Sequence, residues 1–160
     1  SSPPVNKLYN PSRPPLDFFS FRGDRGTVTI LLHTHAHVRE MKLYHPSHDA
    51  QRAPKDIRLL GWAQDPTKRK NRKQEPIVLG HYRYVPGPRE LQSFAVMRQR
   101  LKTPIAAVTL DVTSNYHHEH GGERINRRGG EDEVEVEEDN YTNVWRFIVI
   151  GDDLNQVQVV

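Results

Sequence analysis

Proline decides most about what this chain can fold into. Twelve prolines are spread through its 160 residues, and five of them fall in the first seventeen, "SSPPVNKLYNPSRPPLD". A proline has a fixed φ and no N–H, so neither a helix interior nor an inner strand runs through one. Ten glycines add further turn positions. Between these breaks lie short segments that alternate apolar and polar residues, the period of a half-buried strand. The pattern predicts an all-β chain of about seven or eight short strands with no long helix, which fits a β-sandwich.

Residues 1–17 are expected to run as a proline-rich surface coil. A turn at Arg22–Gly26 then leads into a strand from about Thr27, and "VREMKLYH" reads as the next strand, ending at Pro46. "SHDAQRAPKD" is a loop, Ile57–Ala63 a compact strand, and "QDPTKRKNRKQEP" a basic loop. "IVLGHYRYV" and "LQSFAVM" are strands, and Ile105–Asn115 promises the longest one. Residues 117–139, "HHEHGGERINRRGGEDEVEVEED", have the composition of a flexible charged insertion. A last strand follows, with Val144, Arg146, Ile148 and Ile150 on one face and Trp145, Phe147 and Val149 on the other. Residues 153–160 read as a polar tail.

A length of 160 residues suits one domain with a core that needs no staple. There is no cysteine, which excludes disulfides and thiolate metal sites. No run approaches the roughly 20 apolar residues of a membrane-spanning helix. The net charge of +3 conceals two opposed blocks. Five of the six residues from Lys68 to Lys73 are cationic, yet they lack interleaved aromatics, so a solvated loop is favoured over a nucleic-acid surface.

Catalytic signals are absent. No nucleophile elbow, phosphate-cradling glycine loop or zinc-protease helix motif occurs, and Asp56 and Asp111 have no base or nucleophile beside them in sequence. In "HTHAH", His33, His35 and His37 would share one strand face, the arrangement of a three-imidazole metal site, but a wet strand end accounts for them better. The cluster His117, His118, Glu119 and His120 lies in the insertion, where ligands are not pre-organised. No enzyme and no metal site are therefore expected. "NYT" at Asn140–Thr142 matches a glycosylation acceptor.

Five segments in order resemble one family. "FSFRGDRGTVTILL" resembles an aromatic-x-Phe-x-Gly turn into a core strand. "LYHPSHDAQRAPKDIRLLGW" resembles a Leu-x-His, Ala-Pro-Lys-Asp and Gly-aromatic series, and "VLGHYRYVPGPRELQSFAV" a Leu-Gly-x-Phe/Tyr-x-Tyr segment. "VTSNY" stands for Leu-Thr-Asn-Trp and "YTNVWRFIVIG" for Tyr-Thr-Cys-x-Tyr-Arg-Phe-x-Val-x-Gly. These are the motifs of the SUN domain, and the departures point to a divergent, fungal member.

The resemblance implies a jelly-roll, galactose-binding-like sandwich over residues 18–152. It implies capture of the C-terminal carboxylate of a KASH-type peptide by a pocket at His45, Arg52 and Tyr141, supported by Asn140, Thr142 and Trp145. A tyrosine hydroxyl, an imidazole and a guanidinium are suitable donors for a carboxylate. Phe18 and Asn143 stand where the family often has a disulfide. Asn10, Ser12 and Asp17 fall near a monovalent-cation loop, the one cofactor the resemblance implies.

Nothing upstream resembles the family's lid or coiled coil, so weak KASH binding and a monomeric fragment are expected from a parent that is trimeric and anchored in the membrane elsewhere. The implied place is the inner nuclear membrane, with the domain in the perinuclear lumen and no nucleic-acid partner. Two alternatives carry different chemistry. One is an endoplasmic-reticulum SUN-like domain acting on protein folding; the other is a carbohydrate-binding jelly roll using exposed aromatics such as Trp62.

Overall fold

A computed structural model describes residues 18–120, 140–152 and 157–159. The proline-rich coil 1–17, with Asn10, Ser12 and Asp17, lies outside the described residues, as does most of the charged insertion. The strands are β1 (Phe19–Arg22), β2 (Gly26–Tyr44), β3 (Asp56–Trp62), β4 (Ile77–Arg83), β5 (Leu91–Ala95), β6 (Pro104–Val112), β7 (Tyr141–Val144), β8 (Arg146–Gly151) and β9 (Val157–Val159). All their pairings are antiparallel. The all-β expectation holds.

β2 organises the architecture. Its first part pairs with β6 in the order β4-β3-β6-β2, and its second part lies between β5 and β8, with β9 outside β8. A second, two-stranded sheet joins β1 to β7. The buried residues along β2 are Val28, Ile30, Ala36 and Val38, then Met41 and Leu43. The change from even to odd positions coincides with a register shift between Val38 and Glu40 opposite β8. One extra residue there turns the side chains over, so the two halves of a single strand bury opposite sets of positions within one seven-stranded sheet.

The core is packed from both parts. Val28, Leu59, Leu79, Val108 and Leu110 are fully buried beside the first half, and Met41, Leu43 and Phe147 at the second. Ile105 joins the halves near the bend. Gly26 is required by a close approach: a Cβ there would lie 2.6 Å from the Phe21 ring. Gly23, with φ of +86°, makes the turn that precedes it.

Four expectations are corrected. The two strands read on either side of "HTHAH" are one strand of nineteen residues, because a bulge carries the polar histidines without ending the extended chain. It, and not the nine-residue β6, is the longest. The last strand is divided at Trp145, so Tyr141–Val144 pairs with β1 while Arg146–Gly151 pairs with β2. The polar tail contains β9, paired with β8 from Ile148↔Val159 to Ile150↔Val157.

Within the loops, Ser47–Arg52 forms a 3-10 helix and His117–His120 a single helical turn, α1, packed against it. Gly26→Ala should cost about 1–3 kcal/mol, since the Phe21 ring must leave its place in a packed core. Urea unfolding of the variant beside the wild type measures it, and unchanged stability would mean that the ring accommodates a methyl group freely.

Candidate functional site

The centre of the site is a residue that the sequence did not single out. Asp49 lies in the 3-10 helix after His45 and is 6% exposed. Its backbone departs from helical geometry (φ −112°, ψ 24°), which turns the carboxylate inward toward β7. Three donors converge on it. Asn143 Nδ2 and Trp145 Nε1 each donate to Oδ2 at 2.9 Å, and Arg52 Nη1 donates to Oδ1 at 3.2 Å. The break between β7 and β8 at Trp145 is what lets the indole turn to this side.

His45 supports the same residue from beneath. Its Nε2–H donates to the Asp49 carbonyl at 2.6 Å and lies 3.4 Å from Oδ2. The ring is 2% exposed, and burial holds it below the usual imidazole value despite the neighbouring carboxylate. A neutral ring donating from Nε2 leaves Nδ1 as an acceptor, and this buried atom has no hydrogen-bond partner among the described residues; neither has Asn143 Oδ1. Burial also pushes Asp49 upward, but the hydrogen bonds from Trp145 and Asn143, with His45 and Arg52, outweigh it and hold the carboxyl below its usual range.

Surrounding loops fix this cluster. Glu90 accepts from Ser47 through its carboxylate (N–H at 2.7 Å) and from His45 N–H through its carbonyl at 3.1 Å. The Tyr84 hydroxyl sits 2.5 Å from that carbonyl and 3.1 Å from the His45 carbonyl. The Ala-Pro-Lys-Asp segment ties the 3-10 helix to the end of β6, through Tyr116 N–H on the Ala53 carbonyl and Lys55 N–H on the Ser114 carbonyl. Asn115 then staples β6 to β7. Its amide donates to Asn140 Oδ1 at 2.8 Å and Thr142 Oγ1 at 2.9 Å, while its own oxygen caps His117.

At the surface the site is aromatic and cationic. The Trp145 ring lies 4.6 Å from Phe18 and 5.9 Å from His48, edge to face with the latter. Arg52 is partly exposed, and Asp49 is its one partner among the described residues. Tyr141 is half-buried and shares its strand face with Asn143, two residues along β7.

The sequence match to the Sad1 / UNC-like C-terminal family covers residues 4–122. The chain belongs to the SUN-domain family. Klaroid protein of Drosophila melanogaster is 26% identical over 115 residues, 68% of this chain and 11% of that protein. The SUN domain thus spans about a tenth of the length of the curated relative it matches.

His45, Arg52 and Trp145 of the expected pocket meet around Asp49, whereas Asn140 and Thr142 serve the Asn115 staple. Thr142 is fully buried and donates to the Gly23 carbonyl, so it closes the β1–β7 corner from within. Phe18 stacks on Trp145, while Asn143 binds Asp49, so the two positions of the missing cystine each have a partner of their own. Trp62 is half-buried with its indole N–H on the Thr109 hydroxyl at 2.8 Å. His33 and His35 line one cleft; His37 does not.

Asp49→Ala would strand the buried amide of Asn143 and the indole N–H of Trp145, and should cost about 3 kcal/mol by urea unfolding. A loss below the measurement error would show that water replaces the carboxylate freely. Acid acts in the same direction. His45 is lowered in the native state, so the unfolded chain takes up the proton first and stability falls as pH drops below about 6.5. Asp49, lowered as well, contributes stability above its unfolded value that is lost only as pH falls through the lower native one. Unfolding free energy should therefore decline between pH 7.5 and 5.5, and His45→Gln should flatten that decline.

Proposed function

We propose that this SUN domain is a non-enzymatic binding module of a nuclear-envelope bridging protein. It captures the C-terminal tail of a KASH-type partner in the perinuclear space and so links the nucleus to the cytoskeleton or spindle pole. The observation that carries the reading is the pre-set Arg52. Asp49 holds one guanidinium nitrogen, which fixes the fork beside the Phe18–Trp145–His48 surface and leaves further N–H donors for a second carboxylate. A proline-rich tail suits such an aromatic surface, because its extended helix is already formed before binding.

In this arrangement Arg52 and Tyr141 touch the peptide end. His45 acts from below by holding Asp49, and through it Arg52, in place. Family membership supports the class of partner, and the geometry supports the choice of a carboxylate end.

Calorimetric titration with a proline-rich peptide ending in a free carboxylate, beside its C-terminal amide, tests this. The acid should bind and the amide should not. Arg52→Ala should weaken the acid by about tenfold, the scale of one charge-assisted pair. Equal affinity for acid and amide, or no binding of either, would overturn the reading.

A further inference from the structure

The register of β2 against β6 breaks between Leu31↔Ala107 and Ala36↔Ile105. Four residues of β2 there face a single one, Ala106, so Leu32–His35 bulge away from the ladder. The basic loop after β3 folds over this bulge. It is solvated as expected, with Lys68, Arg69, Lys70, Arg72 and Lys73 exposed, yet it is braced from within. Gln64 and Gln74 close its neck, with Gln64 N–H on Gln74 Oε1 at 3.1 Å and Gln74 Nε2 on the Gln64 carbonyl at 2.8 Å. Inside it, Asp65 accepts from Thr67 N–H at 2.8 Å and from the Thr67 hydroxyl at 2.6 Å, and Asn71 Nδ2 donates to the Asp65 carbonyl at 2.9 Å. A short 3-10 turn, Arg69–Asn71, completes it. His35 Nε2 anchors the bulge to the start of the loop, donating to the Ala63 carbonyl at 3.1 Å.

Bulge and loop enclose an open cleft of about 190 Å³. Lys68, Lys70, His33 and Asn71 line it, whereas Arg69, Arg72 and Lys73 do not. No carboxylate among the described residues lies within ion-pair distance of Lys68 or Lys70. The one carboxylate in the lining, Asp65, is occupied by Thr67, whose hydrogen bonds, with a smaller contribution from the Lys68 charge, hold it below its usual range.

We propose that this cleft is a second binding site, for a phosphomonoester dianion. Two ammonium groups are compact point charges that suit a small dianion approached from several sides, while a single carboxylate is better matched by a planar guanidinium fork. The amide of Asn71 and the imidazole of His33 add directed hydrogen-bonding capacity. The bulge and the closed neck fix the cleft before any ligand arrives, which lowers the ordering cost of binding. The chemistry is that of a phosphorylated headgroup, supplied by a soluble sugar phosphate or by an anionic lipid.

The test uses the full chain at physiological salt. The soluble probe is inositol 1,4,5-trisphosphate, followed by calorimetry and by amide chemical-shift mapping. The lipid probe is phosphatidylcholine vesicles with and without phosphatidic acid, followed by co-sedimentation. At least one probe should bind, and the soluble one should shift the amides of His33 and Lys68–Asn71. Lys68→Gln/Lys70→Gln should weaken binding about tenfold or more, on the scale of charge-assisted contacts to phosphate. Arg69→Gln/Arg72→Gln removes the same net charge from residues outside the cleft and should change it less than about threefold.

Binding of the soluble probe alone assigns a free sugar phosphate, and binding of phosphatidic acid vesicles alone assigns a membrane. Equal loss in both double variants would reduce the effect to net-charge attraction and overturn the site. Binding of neither probe would overturn it as well.

Discussion

One strand carries the whole fold. β2 supplies an edge to β6 in its first half and the middle of a sheet, between β5 and β8, in its second. A strand shared in this way cannot slip, because a one-residue shift would move Val28 and Ile30, or Met41 and Leu43, out of the core together. Its two irregularities have separate consequences. The break at Val38/Glu40 changes which side chains face inward, where β2 passes from its pairing with β6 to its pairings with β5 and β8. The break at Leu31/Ala36 changes no burial parity, since Ile30 and Ala36 are both buried, but lifts His33 and His35 into the cleft under the basic loop. The strand then ends at Tyr44 and delivers His45 to Asp49. Both proposed ligand sites thus hang on the register of the same segment.

Asp49 has the electrostatic part. A buried carboxylate is costly unless donors meet it, and here they come from three stretches of chain: Arg52 on its own turn, Asn143 on β7, and Trp145 at the break before β8. The same carboxylate that closes the corner also sets the orientation of the groups at the surface. It has a second effect, because any ligand carboxylate must share Arg52 with an anion already in place. The peptide end would then contribute selectivity, and the apolar body of the peptide on Trp145 and Phe18 the larger part of the affinity.

The sequence made the strands legible wherever alternation was clean. Ile57, Leu59 and the run from Ile105 to Val112 read correctly because apolar residues are dense there and turn signals bound them, although Leu59–Gly61 and Ala107–Leu110 are buried on both faces and alternate only at their flanks. It failed where a polar patch interrupted a continuous strand, as at His33–His37, since a bulge and a turn look alike in composition. β9 was hidden because its three residues, Val157–Val159, are too few to show a period. Trp145 was assigned to a continuous strand because nothing local marks the change of sheet. Of the site, His45, Arg52 and Trp145 were legible through motif order alone. Asp49 was not, because an aspartate in "SHDAQR" looks solvated. The signal was its place between His45 and Arg52, on the short helix Ser47–Arg52 that follows the end of β2 and folds back over His45.

The two cationic sites answer to different physics, and that separation follows from what stands behind each charge. Arg52 is backed by Asp49, so its net field is small and its contribution is directional. A ligand gains there by matching a fork and covering aromatic rings. Lys68 and Lys70 stand exposed and form no ion pair among the described residues, Asp65 being only near enough to Lys68 to feel its charge. Their field therefore reaches outward and is screened within about 8 Å at physiological ionic strength. Raising salt therefore acts strongly on the cleft under the basic loop and weakly on the half-buried corner at Asp49. If both proposed sites are used, a single domain would hold a protein tail by shape and a phosphate by charge, without the two ligands competing for one set of donors.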